Sequence, residues 1–305
     1  MDVLKSVGHY IKNTDLYLIV LSLLCTGYGM VLIYSATLNP VTWQDGSTRN
    51  LFVQGAAVVI GLGAFVIMSL IDLETMSGWW KIFVLGNIGL QMLLFTPLGI
   101  ELNGQRAWLD LGVTSLQPGE LGKLIFIFTL AAHISEIREH ISEWRGLFVI
   151  GLHTLLMMGA VVISSGDTGM AIQYLMIAVI MLFAAGLSLK WLAIGGVLGI
   201  ISVPVLWNFV LQGYQITRIL VLFDPSIDPE VSRQTTYGKI AIGSGQISGQ
   251  GLTQGTMTQM QRVPENQTDY IFSVAGEELG LIGCMLIILL LTLLILRLLY
   301  ISYRA

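Results

Sequence analysis

The sequence predicts an all-α fold, a polytopic membrane helix bundle with about eight spans. Of its 305 residues, 54% are hydrophobic and only 11% are charged, whereas a soluble globular domain has about 25% charged residues. The apolar residues also gather in repeated runs close to the roughly 20 residues that an α-helix needs to cross a bilayer. Long continuous runs favour helices over the alternating strands of an outer-membrane barrel. We therefore expect a multi-pass integral membrane protein.

The apolar runs define the expected spans and their orientation. The first run is too long for the core of a signal peptide and lacks a small-x-small cleavage site, so it is read as a span. Lys5 and Lys12 precede it, and the short segments on the same side have a high density of basic residues, which predicts that both termini are cytoplasmic. In chain order, the predicted spans are 16–36, 51–71, 82–100, 120–134, 146–163, 168–187, 191–211 and 271–296.

Composition argues against several functional classes. The net charge of −4 gives no reason to expect a nucleic-acid partner. Cys25 and Cys284 each lie in an apolar run, where free thiols pack as small hydrophobic groups, so no disulfide framework is expected. No ligand cluster of recognisable spacing predicts a metal site, and the sequence leaves open whether a divalent cation assists. We expect residues 1–305 to form a single membrane domain.

One polar, glycine-rich segment, at about residues 212–270, interrupts the apolar pattern before the last span. Long loops on a rigid scaffold commonly carry function. The end of this segment runs directly into the last apolar run, so the carboxylate of Asp269 is expected where water meets hydrocarbon. That position suits a catalyst that acts on a lipid-borne substrate.

Most ionisable residues at span ends are predicted on the side of the membrane that carries this loop. A charge at membrane depth costs roughly 3 kcal/mol or more unless it is paired or hydrated, so each such residue is a candidate for a functional site. The predicted cluster contains Arg106, Glu120, Lys123, Asp167, Arg218 and Asp269.

Some of these residues also have a structural explanation. Glu120 and Lys123 share one face of a helix that begins near Pro118, which fits either an ion pair at the helix start or a charge pair lining a headgroup pocket. Trp108, close to Arg106, fits either a platform for the flat face of a sugar or a member of the aromatic belt.

Other polar residues favour structural roles. Asp167 fits an N-cap of the span that follows it, and the Asp224-Pro225 and Asp228-Pro229 pairs fit consecutive turns. The glycine-rich segment 242–251 lacks the ending of a P-loop and predicts a compact re-entrant loop. Helix-packing hydrogen bonds explain the lone polar residues within the spans, namely His153, Glu277 and Glu278.

Seven short motifs follow one another along the chain: Asn103-Gly104 through Trp108, Gln117-Pro118-Gly119-Glu120, Gly166-Asp167-Thr168-Gly169, Tyr214-Gln215-x-x-Arg218, Asp224-Pro225, Lys239 through Gly245, and Pro264-Glu265 with Thr268 through Phe272. In this order they resemble the SEDS family of RodA/FtsW type, bacterial polytopic membrane proteins that polymerise peptidoglycan. Gly119 stands where Ser is usual, and Gln246 where Gly is usual. The resemblance also implies that the last two spans of the family pattern are absent from this sequence.

The resemblance implies an activity for the predicted cluster. The acid that matches Asp269 is the catalytic carboxylate of the family, and the residues that match Arg106, Glu120 and Lys123 line the same outward cavity. Transfer of a glycan from its undecaprenyl pyrophosphate carrier to lipid II requires a base on the acceptor and positive charge near the leaving pyrophosphate. Asp269 is the expected base, and the expected substrate-binding residues are Arg106, Trp108, Glu120, Lys123, Asp167, Arg218 and Glu265.

The resemblance also implies a location and a partner, namely the outer face of the bacterial cytoplasmic membrane and a class B penicillin-binding protein. A lipid II flippase is one alternative, but the uncharged Gln54, Asn87, Gln91 and His153 make a poor path for a pyrophosphate. A non-catalytic scaffold that recruits the transpeptidase is another, and Asp269 argues against it. The sequence does not separate roles in elongation, division and sporulation.

Overall fold

The computed structural model describes residues 15–38, 46–102, 105–112, 115–205, 207–208, 211 and 213–304, with the side chains of residues 46–48, 102 and 214 outside the description. Lys5, Lys12, Asn103 and Gly104 therefore lie outside the described residues. Helices dominate the described part, which confirms the all-α class. They are α1 (Leu16–Thr37), α2 (Gly46–Leu70), α3 (Leu73–Ser77), α4 (Trp80–Met92), α5 (Pro118–Glu136), α6 (Trp144–Ser165), α7 (Thr168–Ala184), α8 (Leu189–Val205), α9 (Gly213–Phe223), α10 (Pro229–Ser244), α11 (Thr256–Gln259), α12 (Ile271–Glu278) and α13 (Gly280–Arg304).

Four of the described helices are long and apolar enough to cross a membrane: α1, Arg49–Leu70 within α2, α6 and α13. Three shorter apolar helices accompany them, at Trp80–Phe95 and in α7 and α8. Many of their large apolar side chains are exposed, for example Ile200 at 74% and Ile60 at 71%. Such faces suit hydrocarbon because their side chains are apolar. The helical backbone also suits it, because a helix satisfies its own backbone hydrogen bonds. The protein is a multi-pass membrane protein.

The chain divides into two compact units. The first unit contains Met1–Val66 and Leu211–Ala305, and the second contains Ile67–Val210. Among the described residues, each unit has a buried hydrophobic cluster of its own.

The core of the first unit forms where α1 meets α12. Beyond this core, Asp15 caps α1 by accepting a hydrogen bond from the amide of Leu18 at 3.0 Å. The same carboxylate lies 2.6 Å from the guanidinium of Arg297 on α13, which holds the pKa of Asp15 below its ordinary value. The buried core residues are Leu32, Ala36, Val274 and Ala275.

The prediction that residues 271–296 form one continuous membrane-spanning helix is wrong. The helix is interrupted between α12 and α13, and Gly280 has a φ of +67°, a left-handed conformation that glycine adopts without steric cost. At this break, the amide of Leu281 donates to the carbonyl of Gln246 at 2.9 Å. The polar segment therefore lies against the break, and α13 alone has the length of a span.

The polar segment before α12 is largely helical. The prediction of a re-entrant loop at 242–251 is only partly right, because α10 continues to Ser244 before the turns begin. Gln246 has a φ of +50°, a conformation that favours glycine. The predicted structural roles of both aspartates are confirmed: Asp224 accepts a hydrogen bond from the amide of Ser226 at 3.0 Å, and Asp228 caps α10.

In the second unit, α5, α6 and α7 pack around a core that includes Phe126, Met157 and Tyr174. Nδ1 of His153 lies 3.1 Å from Nδ1 of His133, in a buried contact between α6 and α5. This contact confirms the helix-packing role predicted for His153.

A three-stranded antiparallel sheet in the second unit was not predicted. Its strands are β1 (Gly99–Leu102), β2 (Gln105–Asp110) and β3 (Ser115–Leu116), in that order across the sheet. Leu109 pairs with Gly99 on one side and with Leu116 on the other. The predicted span 82–100 is therefore too long, because α4 ends at Met92 and the chain is extended from Gly99 onward.

Candidate active site

The charge pair at the start of α5 is the most tightly held part of the predicted cluster. Nζ of Lys123 lies 2.9 Å from both carboxylate oxygens of Glu120. It also donates to Oε1 of Gln173 on α7 at 2.7 Å. The Lys123 side chain is 18% exposed and that of Glu120 is 55% exposed, so the ammonium is fixed but still reachable. The predicted ion pair is confirmed, and Gln173 is a partner that sequence reasoning missed.

Two glycines allow α5 and α7 to approach this closely. A Cβ added at Gly119 would lie 1.9 Å from Sδ of Met170, and one added at Gly122 would lie 2.5 Å from Oη of Tyr174. The space is filled by Tyr174, whose hydroxyl donates to the carbonyl of Gly119 at 3.2 Å. Because the helices touch at these glycines, the side chain of Gln173 reaches Lys123.

Asp167 caps α7. Its Oδ1 accepts a hydrogen bond from the amide of Met170 at 2.9 Å, and the preceding Gly166 has a φ of +69° that ends α6. The capping interpretation is therefore confirmed. A role for the same carboxylate in substrate binding stays a prediction.

Arg106 and Trp108 lie on β2. The guanidinium of Arg106 is exposed and donates to the carbonyl of Thr96 at 2.9 Å. Trp108 is half-buried and pairs across the sheet with Ile100. Gly99 on β1 pairs with Leu109 of β2, and a Cβ added at Gly99 would lie 2.1 Å from the carbonyl oxygen of Leu94. The sheet therefore fixes where the arginine and the tryptophan leave the backbone.

Asp269 lies in the turn that leads into α12, within the first unit. Its side chain is exposed, and its carboxylate accepts no hydrogen bond from any residue that the structure describes. The turn is closed by Glu265, whose carbonyl oxygen accepts hydrogen bonds from the amides of Thr268 at 3.2 Å and Tyr270 at 3.1 Å. Glu265 itself has a φ of +53°. The backbone of the turn is thus held while the Asp269 side chain is exposed.

The residue after Asp269 anchors the other end of the turn. The hydroxyl of Tyr270 lies 3.2 Å from the hydroxyl of Thr235 on α10. The Tyr270 ring also packs over Gly238, where an added Cβ would lie 3.0 Å from a ring carbon. Asp269 therefore lies between two residues with fixed contacts, Glu265 before it and Tyr270 directly after it.

A cavity of about 360 Å³ lies beside this turn in the first unit. The side chains that line it offer amide and carboxylate groups, and none of its described lining residues is cationic. Such a surface suits a hydroxylated, uncharged ligand better than a phosphate. The described lining residues are Ala36, Thr37, Asn50, Gln261, Val263, Pro264, Glu265, Asn266 and Gln267.

The predicted site residues fall into both units. Arg218 is exposed on α9, within the first unit, together with Glu265 and Asp269. The remaining residues belong to the second unit, namely Arg106, Trp108, Glu120, Lys123 and Asp167.

The helix-packing hydrogen bonds predicted for the two buried acids are only partly right: Glu278 accepts one from Ser35 on α1, but most of the partners of both acids lie outside the neighbouring spans. Glu277 and Glu278 are both fully buried, and their carboxylates bind the polar segment between residues 253 and 259. In the sequence, only their position at the polar edge of an apolar run hinted at this role. Within the described ranges, no group of three or more His, Cys, Asp or Glu residues is arranged to hold a metal ion.

Comparison with known proteins identifies the family of this chain. A family model described as "Cell cycle protein", covering FtsW, RodA and SpoVE, matches residues 15–305. The chain is 32% identical over 294 residues to the peptidoglycan glycosyltransferase MrdB of Escherichia coli K12, covering 96% of this chain and 76% of that protein. It is 31% identical over 293 residues to the stage V sporulation protein E of Bacillus subtilis, covering 93% of this chain and 78% of that protein.

The fold also matches a solved structure. A chain from work on "structural coordination of polymerization and crosslinking by a peptidoglycan synthase complex" aligns with a TM-score of 0.74 and 26% identity, over 94% of this chain and 77% of that one. Fold and sequence together define a polytopic membrane protein with a helix-containing polar segment before its last two described helices. The chain belongs to the FtsW/RodA/SpoVE family, the SEDS family that its motifs resemble.

Proposed function

We propose that this chain is a peptidoglycan glycosyltransferase, which transfers the growing glycan from its undecaprenyl pyrophosphate carrier to lipid II. The observation that carries the proposal is the exposed carboxylate of Asp269 on a held turn that leads directly into α12. Support comes from membership of a family in which MrdB of Escherichia coli is named a peptidoglycan glycosyltransferase.

Asp269 acts as the general base in this proposal. It removes the proton from the acceptor hydroxyl of lipid II as that oxygen attacks the anomeric carbon of the donor sugar. Two features support the role: the side chain is exposed, and no described residue competes for its oxygens. A base needs this freedom, because it must form a hydrogen bond to the substrate.

The leaving pyrophosphate needs positive charge and no proton, because it departs as an anion. Lys123, Arg106 and Arg218 supply that charge in this proposal. Glu120 and Gln173 hold the ammonium of Lys123 in one place. Such preorganised charge is more effective than a mobile lysine, since the cost of ordering the side chain is met before substrate binds.

The cavity beside the turn binds the sugar part of the substrate in this proposal. Its amides and the carboxylate of Glu265 can form hydrogen bonds with hydroxyl and acetamido groups, whereas its described lining residues offer no cation for a phosphate. Trp108 offers an aromatic face for a second sugar ring. Asp167 contributes the oxygen that is not engaged in capping α7.

The proposed location is the outer face of a bacterial cytoplasmic membrane, with both termini in the cytoplasm. Single cysteines at Ser226 and Ser248, both exposed in the polar segment, test it in a background that lacks Cys25 and Cys284. They should react with an impermeant thiol reagent outside intact cells, whereas a cysteine at Lys190 should not. The reverse labelling pattern would contradict the proposal, because Asp269 would then lie in the cytoplasm.

The proposed partner is a class B penicillin-binding protein, which crosslinks the glycan during elongation, division or sporulation. The aligned solved chain comes from work on a complex that couples polymerization and crosslinking, and it supports this choice. Purified protein should convert lipid II to glycan chains, alone or together with such a partner. Absence of polymer under both conditions would contradict the proposed function.

A further inference from the structure

Glu277 and Glu278 are fully buried at the end of α12, and the proposed reaction uses neither of them. A buried carboxylate is costly unless hydrogen-bond donors surround it. Here each carboxylate is surrounded by donors from one short stretch of the polar segment, residues 253–259, and Glu278 also accepts a hydrogen bond from α1. The pair therefore fastens a distant part of the chain to the helix that follows Asp269.

Glu277 binds the first turn of α11. One oxygen accepts hydrogen bonds from the amide of Met257 at 2.7 Å and the hydroxyl of Thr256 at 3.3 Å. The other accepts from the amide of Thr258 at 2.8 Å and from its hydroxyl at 2.7 Å. A carboxylate from another element thus satisfies the free amides at the start of this helix. The position of α11 is fixed relative to α12.

Glu278 binds Thr253, which precedes α11, and Gln259, the last residue of α11. It accepts hydrogen bonds from the amide of Thr253 at 3.0 Å and from the side-chain amide of Gln259 at 3.2 Å. The hydroxyl of Ser35 on α1 also donates to it. The same Gln259 amide donates to the carbonyl of Ser35 at 3.2 Å. Both ends of α11 are therefore tied to α12 and to α1.

The fastened helix is connected to the turn that carries Asp269. Asn266 is buried, with 3% of its surface exposed, and its side-chain amide donates to the carbonyl of Thr258 at 3.3 Å. Asn266 follows Glu265, the residue whose carbonyl closes the turn. Hydrogen bonds thus link Glu277 to Thr258 and Thr258 to Asn266, and Asn266 is joined through the backbone to Glu265 in the turn.

We propose that Glu277 is a positioning residue for Asp269, acting through Thr258 and Asn266. This inference rests on the proposed function, because it assumes that the Asp269 carboxylate must be held in one place for proton transfer. Glu277 touches neither substrate nor the reacting atoms. Its carboxylate fixes α11, and α11 fixes the turn from which Asp269 reaches its substrate.

The first test is Glu277→Gln in the full chain, assayed as polymerisation of purified lipid II. In either orientation, the amide nitrogen of glutamine would face a backbone N–H, that of Met257 or of Thr258, and leave it without its acceptor, so α11 should loosen. We expect kcat to fall about tenfold or more while KM for lipid II changes by less than about twofold. Glu230→Gln is the matched control, because this exposed glutamate is in the same unit and its carboxylate accepts no hydrogen bond among the described residues.

A second pair of variants distinguishes loss of the proposed positioning from a general folding defect. Thr258→Val removes one donor to Glu277 at a site that is only 2% exposed, and Thr258→Ser keeps the hydroxyl. We expect the valine variant to lose kcat in the same direction as Glu277→Gln, though less, and the serine variant to keep it. Equal activity of the valine and serine variants would overturn the proposal.

Hydrogen–deuterium exchange separates failure of this inference from failure of the proposed function. Glu277→Gln should accelerate exchange in residues 256–270 and leave α13 unchanged, whereas Asp269→Asn should abolish polymerisation and leave exchange in 256–270 unchanged. Full activity of Glu277→Gln beside an active wild type, or normal exchange in 256–270, would overturn the positioning role. An inactive wild type, or a fully active Asp269→Asn variant, would instead overturn the proposed function and with it the role of Glu277.

Discussion

The ammonium of Lys123 lies 2.7 Å from the side-chain oxygen of Gln173, on the helix that packs beside its own. This contact joins two helices at the charge pair that we assign to the pyrophosphate. It also turns a pair on one helix into a three-residue cluster with Glu120. The lysine thus has fixed partners on two helices.

Gln173→Leu should lower the rate of polymerisation by roughly threefold to tenfold, because it removes one hydrogen bond that orients Lys123. Gln173→Glu keeps an acceptor at the same place and should stay close to wild type. Steady-state kinetics on lipid II measures both. A leucine variant with wild-type kinetics would show that Gln173 has no part in holding the lysine.

Glu120 and Lys123 should behave as one functional unit, since both carboxylate oxygens contact the ammonium. Glu120→Gln and Lys123→Met should each reduce polymerisation severely, and the double variant should be little worse than either single variant. The measurement is a double-mutant cycle on kcat/KM. Fully additive losses would mean that the two residues act separately.

Asp167 combines a demonstrated cap with a proposed contact to substrate, and two substitutions separate these roles. Asn is as good an N-cap as Asp, whereas Ala costs about 1 kcal/mol. Asp167→Asn should therefore keep the thermal stability of the purified protein and raise KM for lipid II. Asp167→Ala should lower the thermal stability and also raise KM. A wild-type KM in the Asn variant would leave capping as the role of this residue.

The sequence predicted those features that depend on hydropathy or on short spacing. Long apolar runs predicted most of the membrane helices, and the three-residue spacing of Glu120 and Lys123 predicted their ion pair. Gln173 was missed because it is 50 residues from Lys123, and only the packing of α5 on α7 brings them together. No local pattern contains that contact.

Two features of the fold were missed for a related reason. Gly280 was placed inside one span because apolar residues lie on both sides of it, although Glu277 and Glu278 come just before it. The partners that explain the break, Gln246 and the residues around 253–259, are far away in the chain. The sheet was missed because its strands are short and β1 begins within an apolar run, although Asn-Gly between two strand-like segments is a hairpin signal.

Gly122→Ala should destabilise the protein by about 1–3 kcal/mol, because the added methyl group meets three polar atoms in a closely packed place. Its Cβ would lie 2.5 Å from Oη of Tyr174 and 2.7 Å from both Oδ1 of Asn87 and Nε2 of Gln91. Gly159→Ala on α6 is the control, since no atom lies within 4 Å of its added Cβ. Thermal unfolding in detergent compares them. Equal midpoints for the two variants would contradict the packing described between α5 and α7.

The assignment of Asp269 as the base is tested most directly by the polymerisation rate of the Asp269→Asn variant. The change is nearly isosteric and removes the basicity of an exposed side chain. The oxygens of this side chain accept no hydrogen bond from any residue that the structure describes. The variant should therefore reach the membrane folded, with the stability of the wild type. We predict that purified Asp269→Asn protein forms no glycan chains from lipid II under conditions in which the wild type does. Glycan chains formed by the variant at the wild-type rate would contradict the account.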